Sequence, residues 1–284
     1  MNPLNTPKYY SQAWICSTRV ALFSLALFAA NSLSAQSSST ARADFDHVYL
    51  SASAGPSIPI AAFGNKDAET AFIYEPDGFV VGLNRRESGF ARIGTHLGGE
   101  LGIRPFRWLS VFGQVDATRN SANAGQIHNF FNDEVLLRTN CECIRSVEVA
   151  DYEWLYLGLG LAGHYQLGNH FSASASFSAG KSWLRWPTFA ALYFDPGGLD
   201  PSGRLYFNRL RNESTLQANA VGVNTAVYYQ HGALQFGFSI AIRHARFPYT
   251  TENTFVGSSY FEDREDVVRY TTLLPSLSAR VSLF

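Results

Sequence analysis

Eight ionisable residues, Arg92, His96, Glu100, Arg104, Asp116, His164, Arg243 and Arg280, fall on the polar faces of segments whose residues alternate apolar and polar. Glu100 and Arg104 lie four apart, so they share one face of an extended chain. Charges of both signs turned into a confined space must pair, because a buried unpaired charge is costly. Such a cluster is either a gate or binding site, or a polar plug that holds a scaffold rigid. The plug is the primary expectation. Catalytic signals are weak by comparison. His170 and Ser172 lie two apart, but with seven histidines and many serines such pairs arise by chance. The chain has no nucleophile elbow between a strand and a helix, no phosphate loop and no His-Glu-x-x-His run. Cys141 and Cys143 are separated by one residue, which makes any disulfide between them a tight ring. A zinc site needs about four ligands, and His128 is the one histidine near them in sequence. No catalytic, cofactor-binding or metal residue is therefore expected, and no cofactor.

The elements that must position the eight residues are strands. The clearest stretch puts Leu234, Phe236, Phe238, Ile240 and Ile242 on one face and Gln235, Gly237, Ser239, Ala241 and Arg243 on the other. Eight strands are expected, over 47–55, 89–104, 108–119, 151–167, 170–183, 214–230, 233–247 and 267–284. Their outward faces include Ile93, Leu97, Leu101 and Ile103, then Leu109, Val111, Val115 and Ala117, then Leu155, Leu157, Leu159 and Leu161. Connections alternate in length. Short turns lie at Pro105 to Arg107, Gly168 to Asn169 and His231 to Gly232. Long loops cover roughly 56–88, 120–150, 184–213 and 248–266. One greasy face, one small polar face, and short turns alternating with long loops are the marks of a barrel wall between lipid and lumen. The fold class expected is all-β, an eight-stranded antiparallel up-and-down transmembrane barrel. Its four long loops would be extracellular and its short turns periplasmic. Pro275 within the last strand lacks a donor and needs a bulge or a strand end. The inward faces carry many Gly, Ser and Ala residues, which leaves a narrow water-filled path open as an alternative to a filled interior.

The N-terminal segment has the parts of a signal peptide. Lys8 and Arg19 supply charge, 20–30 is a short apolar core, and Ser32, Leu33, Ser34 and Ala35 precede Gln36. The expected organisation is a signal peptide over 1–35, a short lead over 36–46 and the barrel over 47–284. Removal of the signal takes two of the 22 basic residues and none of the 23 acidic ones, so the net charge moves from −1 to −3. That balance argues against a nucleic-acid partner. Only 16% of residues are charged and 14% are aromatic, and no apolar run after the signal is long enough for a membrane helix.

Aromatic residues gather at the two ends of the expected wall. Trp108, Tyr165, Phe171 and Tyr229 lie near the short turns. Phe90, Trp154, Trp183, Phe247 and Tyr270 lie near the long loops. Rings of this kind favour the headgroup level. A soluble β-sandwich would use the same aromatics in its core, but would not band them at opposite ends. The third loop carries Phe189, Tyr193, Phe194, Tyr206 and Phe207 with Arg204, Arg209 and Arg211. The fourth carries Glu262, Asp263, Glu265 and Asp266 around Arg264. Aromatic and Arg residues are common anchors at interfaces.

The strand pattern, the Gly-Pro-Ser-Ile-Pro-Ile stretch from Gly55 to Ile60 and the terminal Phe284 resemble the outer-membrane β-barrel domain family, the OmpA-like and porin-like small barrels. One departure is that Phe284 alternates with Ser282, Arg280 and Ser278, rather than with apolar residues. The resemblance implies an eight-stranded barrel in the outer membrane of a Gram-negative bacterium. The family's barrels are placed there by assembly machinery and are usually not enzymes. The functional expectation is a non-enzymatic structural or surface protein, contacting outer-membrane lipid, the assembly machinery and a ligand or protein at the long loops. A narrow channel for small solutes, an accessory barrel of a secretion apparatus and a lipid-acting enzyme stand as alternatives.

Overall fold

The computed structural model describes residues 48–67, 70, 72–74, 80–83, 86–139, 144–185, 189–193, 204–210, 215–255 and 261–283. The signal segment, the lead, Cys141, Cys143 and Phe284 lie outside the described residues. So do the side chains of the third- and fourth-loop residues named above, apart from Glu265 and Asp266.

The elements run β1 (Val48–Pro59), α1 (Ala61–Gly64), β2 (Phe72–Tyr74), β3 (Val80–Leu83), β4 (Gly94–Phe106), β5 (Leu109–Asn120), α2 (Ala124–Thr139), β6 (Ile144–Val149), β7 (Tyr152–Gln166), β8 (Phe171–Arg185), β9 (Phe189–Tyr193), β10 (Arg204–Leu210), β11 (Thr215–His231), β12 (Leu234–Phe255) and β13 (Phe261–Ser282). Eight of these strands close a ring. β1 pairs with β4, then the order runs β5, β7, β8, β11, β12 and β13, and β13 returns to β1; every pairing is antiparallel. Closure removes sheet edges, so the backbone groups of the wall find partners within it. The chain is therefore an eight-stranded antiparallel β-barrel. Alternation fixes the faces. In β7 the even positions from Tyr152 to Ala162 turn inward, while Leu157, Leu159 and Leu161 are exposed on the outside.

Three expectations about the elements change. The first three long connections are not all loop, since the first contains α1, β2 and β3, the second α2 and β6, and the third β9 and β10. The apolar residues of α2 do not segregate to one side, which removes the helical signal from the sequence. The fourth connection shortens to 256–260, because β12 and β13 stay paired as far as Thr254 and Phe261. Pro248, expected to open the fourth loop, sits in β12 after its pairing with β11 stops at Ala245 and before its pairing with β10 starts at Thr251. That open edge tolerates a missing donor. Strands β10, β9 and β6 then extend the sheet beyond the ring from the end of β12.

Pro275 finds its accommodation at the junction of β1 and β13. The ladder there runs from Tyr49 to Ala54, lapses, and resumes at Ile58. The lapse brings Gly55 and Pro56 opposite Pro275. Any side chain at 55 would have its Cβ 2.0 Å from the Pro275 carbonyl oxygen, so glycine is required by close approach.

Candidate functional site

The barrel interior collects the charged residues in two tiers, both below an aromatic layer. In the central tier Gly98 lies directly opposite Asp116 in the β4–β5 ladder, and His96 reaches Asp116 diagonally. Asp116 accepts from Arg243 Nε at 2.8 Å and from Gln114 Nε2 at 3.0 Å. His96 Nε2 lies 3.3 Å from Asp116 Oδ1, and its Nδ1 is 3.0 Å from Ser276 Oγ. Arg243 also stands over the Tyr156 ring, its Cζ 5.6 Å from the centroid. The carboxylate is thus held on three sides, and its guanidinium partner is in contact with a ring face.

The second tier is toward the short turns. Glu100 pairs with Arg280 at 3.4 Å and accepts from the Tyr49 hydroxyl at 2.7 Å. Arg280 lies between the Tyr49 and Tyr228 rings, 4.2 and 4.4 Å from their centroids. Arg104 also lies over the Tyr49 ring, its Cζ 5.1 Å from the centroid. His164 Nε2 is 2.8 Å from Ser110 Oγ, which is itself 3.2 Å from the Tyr49 hydroxyl. Arg92 is exposed and outside the lumen. It precedes β4, so strand alternation does not govern it, and its backbone bonds to Ser121 and Asn120 instead.

The aromatic layer fills the end toward the long connections. Trp154 stacks on Tyr156 and on Tyr270, with centroids 5.6 and 4.9 Å apart. Phe63, carried in by α1, packs on Tyr152 and Tyr270 at 5.0 and 4.4 Å. Phe247, Tyr249, Leu184 and Val268 belong to the same cluster. The Tyr270 hydroxyl bonds to Thr118, and the Tyr152 hydroxyl donates to the Gly89 carbonyl at 2.7 Å. Trp154, Phe247 and Tyr270 were expected at the lipid interface, as was Phe90; all four are fully buried. The reason is parity. Trp154 shares a face with Gly158, Phe247 with Arg243, and Tyr270 with Ser276, so strand parity turns these rings inward whatever their height along the barrel. Trp183 is partly buried and on the outward parity of β8. At the short-turn end Trp108, Tyr165, Phe171 and Tyr229 are exposed on the outside, and Phe106, stacked on Trp108, joins them.

Sequence reasoning missed the layer because it treated the small inward residues as space. They are receptors for rings. A Cβ at 158 would come 2.2 Å from the Tyr156 hydroxyl, and one at 160 would come 2.4 Å from the Phe112 ring. At 102 it would meet the Tyr49 ring at 2.2 Å. What is left in the centre is a polar pocket of about 40 Å³ beside Asp116 and Arg243. This has room for a water molecule or two, and Asn224 Oδ1 at its edge has no hydrogen-bond partner among the described residues. No group of three His, Cys, Asp or Glu side chains that could hold a metal occurs among the described residues.

No family model matches the sequence, and no curated protein matches it. Solved structures similar to the chain include Neisserial surface protein A, at 13% identity over 83% of this chain and 96% of that one, with a TM-score of 0.38. A major outer membrane protein from Thermus thermophilus is 11% identical over 83% and 98%, TM-score 0.38. The outer membrane protease OmpT from Escherichia coli is 8% identical over 86% and 99%, TM-score 0.32. The fold assignment rests on the closed ring of strands and not on these likenesses.

Proposed function

We propose that the chain is a lipid-embedded barrel of a Gram-negative outer membrane, exported by a cleaved signal peptide and inserted by barrel assembly machinery. It acts as a non-enzymatic scaffold whose surface at the long-connection end meets other molecules. The observation that carries this reading is the inversion of inside and outside. Leu159 and Leu277 are each 73% exposed on the outer wall, while Asp116 and Arg243 are 5% and 4% exposed within. A continuous apolar belt of this size in water is an aggregation surface, whereas in hydrocarbon it is at home. The interior charges pair with one another and with tyrosines, which supports a structural plug over a solute path or a reaction centre.

The test is conductance of the purified barrel in planar bilayers. The expected trace is silent, because aromatic rings and two ion-paired tiers fill the lumen. Steady single-channel steps would sink the plugged reading and favour the narrow channel. Crosslinking from the long connections and from the short turns separates a surface ligand from a secretion-apparatus partner.

A further inference from the structure

The outer wall changes chemistry abruptly at one level of the β12–β13 pair. Going up β12, the outward residues are Phe236, Phe238, Ile240 and Ile242, and then His244 and Arg246. Ile242 faces Leu273 across the ladder, His244 faces Thr271, and Arg246 faces Arg269. From Leu234 to Ile242 the strand rises about 20 Å after tilt, close to the height of an outer-membrane apolar band. The two arginines therefore stand just above the apolar band, at headgroup level on the long-connection side.

Like charges directly opposite one another on a sheet face are destabilising. Arg246 has no ion pair among the described residues, and Arg269 has only Glu87, at a loose 3.9 Å. Residues of α1, Ile60 and the Glu87 carboxylate share with His244, Arg246, Arg269 and Thr271 the lining of a cleft of about 680 Å³ open to the outside. Elsewhere on the outer wall the pattern differs. Arg119 and Arg185 each have a carboxylate partner, Asp151 at 2.7 Å and Glu153 at 3.1 Å.

We infer that this cleft binds the phosphate group of an outer-leaflet lipid. Two guanidinium forks side by side offer paired donors matched to phosphate oxygens. The Ile240, Ile242 and Leu273 surface below them receives the acyl chains. An anion seated between Arg246 and Arg269 removes their mutual repulsion. The inference rests on the membrane reading proposed above.

The full barrel is refolded into phosphatidylcholine vesicles, and insertion is scored first by heat-modifiable migration. Failure of the wild-type protein to insert overturns the membrane reading and the site with it. With insertion established, retention of lipid A is measured by native mass spectrometry after transfer to mild detergent. The wild type is expected to hold lipid A, and R246Q/R269Q to lose affinity by roughly tenfold or more. Dephosphorylated lipid A should bind both proteins at the level of that variant. R246K/R269K, which keeps charge but not the fork, should insert normally and bind at an intermediate level. Lys181→Gln, an exposed basic position elsewhere on the wall, should bind as the wild type does. Equal retention by R246Q/R269Q and wild type, or equal retention of dephosphorylated lipid, overturns the site while leaving the membrane reading intact. Displacement of lipid A by equimolar inorganic phosphate would show an ion site with no lipid specificity and would also overturn it.

Discussion

Asp116 is the residue on which the central tier turns, since Arg243, His96 and Gln114 all converge on it. Its replacement by Ala leaves the Arg243 guanidinium buried without a carboxylate. Asp116→Ala is expected to destabilise the barrel by about 3–5 kcal/mol, read from urea unfolding in vesicles. Adding Arg243→Met should recover part of that loss, because the stranded charge goes too; a fully additive double variant would refute the pairing. Tyr156 and Gly158 make a second coupled pair, of shape instead of charge. Gly158→Val should cost about 1–3 kcal/mol by overpacking, and Tyr156→Leu in the same chain should relieve it. The charged residues of these tiers were legible in the sequence, since strand parity alone puts His96, Asp116 and Arg243 on inward faces. Their partners were not. Glu100 meets Arg280 across the β1–β4 and β1–β13 ladders, and no local spacing announces a contact between two strands that each flank a third.

At the scale of elements, alternation was a reliable guide wherever a strand lies in the ring, and it failed where the chain leaves the ring. Arg92 precedes β4 and α2 lacks a segregated apolar side, so period-two reading had nothing to hold in either place. The same alternation, applied strictly, separates the tryptophans. Trp108 is 62% exposed on the outside of the wall, whereas Trp154 is enclosed by Tyr156 and Tyr270. In single-tryptophan variants, brominated lipid should quench Trp108 strongly and leave Trp154 nearly untouched. Equal quenching of the two would mean that β7 is turned by one residue relative to the register described here. α1 adds a lever of its own. Phe63→Ala removes a ring fully enclosed by Tyr152 and Tyr270 and is expected to cost about 3–5 kcal/mol, with the bilayer current still silent because Trp154 and the two charged tiers remain.

For the whole molecule, the closed ring makes its first and last strands neighbours. The β1–β13 contact joins segments farther apart in sequence than any other adjacent pair in the ring, and its ladder lapses at Gly55, Pro56 and Pro275. Every other junction can begin to form once a hairpin or a nearby crossover has been synthesised. This one waits for β13, and it then has two short stretches of hydrogen bonds with which to hold. The two prolines thus set a timetable as well as a shape. The cylinder should zip shut here last, and pulsed deuterium labelling during refolding should find the alternate β1 amides that bond to β13, not those that bond to β4, protected later than those of the β11–β12 hairpin. Simultaneous protection would mean that the two ends of the sheet meet before the middle is built.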